Sequence, residues 1–387
     1  MTRWLLLLSL AACTPVIPTV VGGGDGPPPD VGSADGDTDA TDATDATDAT
    51  DATDATDATD ATDATDGTDP EPVPEITASV WTILGHAQEC AQALGRIPGF
   101  SCAEDAIEIP ITVGGDRLSD GDYRDRMDCD KPSMLRSDCL AWSRVGHKPG
   151  VTWDGAPDPD VDWVFTCRRD STEGGRDGGR YDDVAMIGYR RSTGQTCFFQ
   201  AFPYTRVDRA PSPHELPEDT PDGAPTAEDF WMEPADTAGI SCGPRCHDND
   251  PWIHSPYLDQ VRRADGSGAL VVPPMETARP PYRVVGTAFE DWRLEQIQPA
   301  DNGCVACHRI GTGGSCSTFA RYASGDGASM PLTAHARTFP QSHWMPPGGA
   351  ESVEDWEATW RADLQQILDC CNDPSDPACN RADLPAE

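Results

Sequence analysis

The sequence predicts an α+β protein in which a disulfide-rich, β-containing domain precedes a mainly α-helical region. Residues 76–235 hold short runs of branched and aromatic side chains among spaced cysteines, the composition of strands held by bridges. Residues 353–368 carry apolar side chains at the helical period. Fifteen cysteines also stand in a chain that opens like an exported one, and disulfides persist outside the cytosol.

Residues 1–13 carry one positive charge at Arg3 and the apolar run Trp4 to Leu10, which is too short to be read alone as a membrane span. The ending Leu10-Ala11-Ala12-Cys13 resembles the bacterial lipobox, which implies a signal peptide and a lipid anchor at Cys13. The expected location is therefore the periplasmic or cell-surface face of a bacterial membrane, held by lipid. Residues 14–75 form the next segment, in which an aspartate falls on every third position from Asp39 to Asp69, mostly as the repeat TDA. With nothing apolar to bury in that repeat and much charge to repel, it should be an extended, disordered acidic linker. Outside residues 1–75 the chain still carries about −22 of its net −38 charge. Such acidity disfavours nucleic acid as a partner; it either guides a basic soluble protein or simply keeps the chain in solution.

Residues 76–235 open with a helical face of Trp81, Ile83, Leu84, Ala87, Ala91 and Leu94. Strands are expected at EIPITV (108–113), VDWVFTC (161–167), VAMIGY (184–189) and TCFFQAF (196–202), with RRSTGQ as the hairpin connection between the last two. Asp182 and Asp183 beside that hairpin read as solvated turn residues. No nucleophile elbow, phosphate loop or zinc-protease helix occurs there, so this half announces no catalytic site.

The segment 285–387 contains Cys304-Val305-Ala306-Cys307-His308. Two thiols one helical turn apart can reach the two vinyl groups of a haem, and the imidazole that follows faces the iron. Before this motif, Phe289, Trp292, Leu294 and Ile297 in TAFEDWRLEQIQ (287–298) predict a helix. After it come the loop GTGGSCS and then Met345-Pro346-Pro347-Gly348. Ser352 is placed to cap a final helix bearing Val353, Trp356, Trp360, Leu364, Ile367 and Leu368. Over about residues 285–370 this order resembles the small single-haem class of cytochrome c. The resemblance implies Cys304 and Cys307 as thioether anchors of haem c, His308 as the proximal ligand and Met345 as the distal one. Met330, His335 and His343 are rivals for the distal place.

The segment 236–284 offers a near copy, Cys242-Gly-Pro-Arg-Cys246-His247, with one residue more between its cysteines. The cysteine–histidine step that aims the imidazole is intact, and Gly243-Pro244 is a turn pair able to loop out the excess. The expected reading is a second haem, with His254 or Met275 as its further ligand and Trp252 and Tyr257 walling the porphyrin. A Cys242–Cys246 disulfide, or zinc on Cys242, Cys246, His247 and His254, are the alternatives. If both motifs hold haem and Cys13 holds lipid, ten cysteines remain: Cys90, Cys102, Cys129, Cys139, Cys167, Cys197, Cys316, Cys370, Cys371 and Cys379. Ten allow five bridges, with Cys316 expected on Cys370, Cys371 or Cys379; one haem would leave twelve, also even.

The sequence thus points to an exported, membrane-tethered c-type cytochrome with one or two covalent haems, an electron-transfer protein more than a catalyst, served by a redox partner protein. A dihaem peroxidase-like enzyme and a non-redox, disulfide-rich surface-binding lipoprotein are the rival expectations.

Overall fold

A computed structural model describes residue 73 and residues 75–384, except 126, 128, 132–138, 140, 170, 177–179, 202–204, 207–208, 249, 276–279, 315 and 318–351. Cys13, the aspartate repeat, Met330, His335, His343 and Met345 lie outside the described residues. Residues Met1–Asp69 and Pro70–Glu387 separate as two units, and the second carries all that follows.

Helix α1 (Ile83–Leu94) starts where the Thr82 hydroxyl accepts from the Gly85 amide and stops at Gly95, which adopts a positive φ. Trp81, expected on its buried face, precedes the cap and is 55% exposed. The strands that follow are β1 (Ala106–Glu108), β2 (Thr112–Val113), β3 (Asp116–Arg117), β4 (Arg144–Val151), β5 (Pro157–Arg168), β6 (Arg180–Tyr181), β7 (Asp183–Arg190), β8 (Gln195–Ala201), β9 (Thr205–Arg206) and β10 (Arg283–Val284). Six of them form one sheet in the order β1-β4-β5-β7-β8-β10, while β2-β3 and β6-β9 are separate ribbons. Five strands of the large sheet run antiparallel; β10 joins β8 in parallel, so the sheet continues into the segment that carries the first cysteine motif.

This sheet is buried on both faces, which is why its strands read as nearly unbroken apolar runs. Trp163, Phe165, Met186 and Phe199 point to the side covered by α1, packing with Ile83, Ala87 and Leu94. Their neighbours Val164 and Tyr189 point the other way, into a cluster with Trp142, Trp252, Tyr257 and Val261. The wide aromatics meet glycines across the ladder. Phe165 lies opposite Gly146 and Trp163 opposite Gly188, and a Cβ on either glycine would overlap the ring. The hairpin between β7 and β8 turns through Gly194 at φ +73. Asp183 is not simply solvated: it pairs with Arg168 at 2.7 Å and accepts from Gln200 at 2.6 Å.

Among the described residues the further α-helices are α2 (Ala227–Phe230), α3 (Pro234–Ile240), α4 (Cys242–Cys246), α5 (Pro256–Asp259), α6 (Gly303–Cys307) and α7 (Val353–Asn372). Ser352 caps α7 by accepting from the Asp355 amide, as its sequence predicts. Among the described residues the C-terminal region mixes helix with strand, which does not support the expectation of a mainly helical one. Strand β11 (Glu295–Ile297) lies between β12 (Ile310–Gly311) and β13 (Ala382–Asp383) in a three-stranded sheet. The helix expected over 287–298 is instead a short 3-10 turn, Thr287–Phe289, followed by β11. Two flanking strands satisfy the backbone of β11, and that pairing overrides the local helical spacing.

Five disulfides tie the unit together: Cys90–Cys197, Cys102–Cys167, Cys129–Cys139, Cys316–Cys371 and Cys370–Cys379. They use the ten cysteines that remain when both motifs and Cys13 are set aside, and Cys316 takes Cys371 among its three expected partners.

Candidate haem-attachment sites

Helix α6 presents the regular motif. Asn302 caps it, its side-chain oxygen accepting from the Cys304 amide at 3.0 Å, while its amide group donates to Asp363 O and Gln366 Oε1 on α7, each at 2.8 Å. Gly303 donates to Asp363 Oδ2 at 2.9 Å and lies under Trp360, where a Cβ would crowd the ring. Cys304 and Cys307 therefore stand one turn apart on a helix fixed to α7. His308 ends that helix with extended backbone, donating its amide to Cys304 O at 2.9 Å, and the chain leaves directly into β12. Cys304 is partly buried and Cys307 exposed. Burial pushes the Cys304 thiol up to about 11. His308 is held below its ordinary value, first by burial and then by the influence of His254.

The irregular motif is also helical, which corrects the expectation that Gly243-Pro244 loop out its extra residue. Ser241, in the left-handed region at φ 59, ends α3 and begins α4. The His247 amide reaches back to both Cys242 O at 2.9 Å and Gly243 O at 3.0 Å. Pro244 is tolerated because it sits in the first turn, where backbone N–H groups have no intrahelical partner. The added residue costs only about 1.5 Å of helical rise and keeps Cys242 and Cys246 on one face. Trp292 packs on Gly243, leaving no space for a side chain there.

Neither alternative for this motif is assembled. Cys242, Cys246, Cys304 and Cys307 stand outside the five disulfides. Side chains four apart on a helix have Cβ atoms about 5–6 Å apart, beyond the ~3.5–4.5 Å of a disulfide. Among the described residues no three His, Cys, Asp or Glu side chains gather as a metal site, so the four zinc donors named above do not converge.

His247 is half-buried, and the burial of its ring lowers it to about 4. Its Nδ1 lies 2.9 Å from Pro251 O; a carbonyl only accepts, so Nδ1 carries the proton and Nε2 keeps the lone pair a metal needs. Phe198 meets the ring edge to face at 5.6 Å, and Tyr282 Oη donates to His247 O at 2.6 Å. Trp252 and Tyr257, expected around a porphyrin, belong to the cluster on the sheet, with Trp252 edge-on to Tyr189 at 5.3 Å. Met275 packs against the same cluster.

The two motifs, far apart in sequence, meet in space. The Gly313 amide donates to Asp248 Oδ2 at 2.8 Å. A Cβ on Gly313 would overlap the Pro244 carbonyl, and one on Gly314 would stand 3.0 Å from Arg245 O. Arg309, next to His308 and 5% exposed, pairs with Asp250 at 3.5 Å and donates to Pro280 O. Burial raises Asp250 to about 7, against the pull of Arg309 and His254. Sequence reasoning missed Asp248, Asp250, Arg309 and Gly313. In so acidic a chain, two aspartates after a histidine look like ordinary solvated residues.

His254 follows Asp250 by four residues. Its Nδ1 lies 3.0 Å from Asp259 Oδ1, at the end of α5, so the carboxylate holds the Nδ1–H tautomer. Its Nε2 is buried with no hydrogen-bond partner.

Compared with models of known families, with curated proteins and with solved structures, the chain matches none.

Proposed function

We propose that this chain is an exported, lipid-anchored c-type cytochrome that carries covalent haem at Cys304/Cys307/His308 and at Cys242/Cys246/His247, and passes electrons between protein partners. The observation that carries the reading is α6: two thiols one turn apart, outside a bridge network that takes every other described cysteine except those of the second motif, with a half-buried imidazole directly after them. The donor set fits the group. Bound haem supplies a one-electron ferric–ferrous couple, with no atom transferred.

The chain's own part is to hold and insulate. The thiols of Cys304 and Cys307, and of Cys242 and Cys246, would make the thioether links, and His308 and His247 would hold the irons. Burial lowers both imidazoles and so favours the neutral form, which has a lone pair to donate. Pro251 O orients the His247 ring through Nδ1, as carbonyls do for metal-bound histidines generally. The strong negative charge favours a basic donor or acceptor protein.

Mass spectrometry of the mature protein, made with a functional haem-attachment system, tests this. The expected result is two added haem masses, one of them lost in Cys304→Ser/Cys307→Ser and the other in Cys242→Ser/Cys246→Ser. A correctly bridged chain without any haem mass would reject the proposal.

A further inference from the structure

A buried ring nitrogen with no partner is costly, since the group gives up water and gains nothing. His254 Nε2 is in that position although its other nitrogen is anchored to Asp259. A carboxylate behind the ring, fixing Nδ1–H and raising the basicity of Nε2, is the usual support of a metal-bound histidine. The contacts of Gly313 with Asp248 and Pro244, and of Arg309 with Asp250, lock the stretch before His254 against the stretch after His308.

We infer that His254 is an axial ligand of the iron held at His308, reaching across from the other attachment segment; this rests on haem being attached at Cys304 and Cys307. The sequence offers His254 first to the iron of its own segment, at His247. The packing favours the crossing: Arg309, beside His308, pairs with Asp250 four residues before His254, whereas the His247 ring packs on Phe198, in a cluster apart from the one that takes Trp252 and Tyr257. With nitrogen on both faces, the His308 iron would have a lower reduction potential than histidine–methionine ligation gives, because thioether sulfur favours the reduced state. The two attachment segments would then be joined by a coordination bond as well as by packing.

Haem mass is measured first, so that a chain without haem at Cys304 and Cys307 counts against the proposed function and not against this ligand assignment. On the two-haem protein, electron paramagnetic resonance and optical spectra are then compared for His254→Ala and Met345→Leu. His254→Ala should convert one iron of two to high spin, with added imidazole restoring the original spectrum; Met345→Leu should change neither iron. The same His254→Ala effect should persist in the Cys242→Ser/Cys246→Ser background, where the remaining haem is the one at His308. If His254→Ala proves too unstable to load, His254→Met should load and raise the midpoint of one haem. Two unchanged low-spin irons in His254→Ala, an unchanged potential in His254→Met, or loss of a ligand in Met345→Leu would each overturn the assignment.

Discussion

Burial holds the His214 imidazole below its ordinary value of 6.5, and its Nε2 donates to Gln88 Oε1 at 2.8 Å beside the edge of Trp153. A histidine whose folded value is depressed binds its proton more readily in the unfolded chain. Its contribution to stability is therefore complete above about pH 6.5 and is lost as pH falls through that value towards the folded one. Denaturant titrations of the native protein and His214→Gln between pH 7.5 and pH 5 should show the native chain losing more stability over that interval. Parallel curves would mean that His214 titrates alike in both states. The sequence marks this histidine no differently from His86 or His147, because what sets it apart is a contact with α1, 126 residues away in the chain.

At the scale of the element, α6 is only five residues long, and a helix so short depends on its cap and its neighbours. Asn302→Ala should cost about 1–2 kcal/mol, combining a lost cap with a lost clamp on α7. Asn302→Asp keeps an oxygen for the Cys304 amide but cannot donate to Asp363 O, so it should recover part of that loss; full recovery in thermal unfolding would show that the clamp contributes nothing. Cap and period made α7 legible beforehand, since Ser352 and the stripe ending at Leu368 belong to one helix on one core. The stretch 287–298 was misread for the opposite reason. Phe289 and Leu294 bury into the cluster around Phe198, whereas Ile297 buries into the cluster beneath α7. Their spacing imitates a helical face although they serve two cores. The meeting of the two motifs was not readable at all, because it rests on contacts such as Gly313 with Asp248 that no local pattern announces.

Across the whole unit, the bridges differ widely in the chain they close. Cys90–Cys197 spans 107 positions and Cys370–Cys379 only 9. If bridges act mainly by restricting the unfolded chain, replacing the first pair by alanines should cost about 5 kcal/mol and replacing the second about 2.5. Equal losses in chemical denaturation would point to native packing instead. The same network sets a sorting problem during biosynthesis: ten sulfurs must find their partners while four close by must not. Burial to about 11 at Cys242 and Cys304 leaves roughly one thiol in ten thousand ionised at neutral pH, so once folded these two are nearly inert to exchange. The hazard is earlier, on the newly made and still open chain, where a misplaced bridge would consume a thiol of either motif. Order of events, more than affinity, would then decide how much of this protein matures correctly.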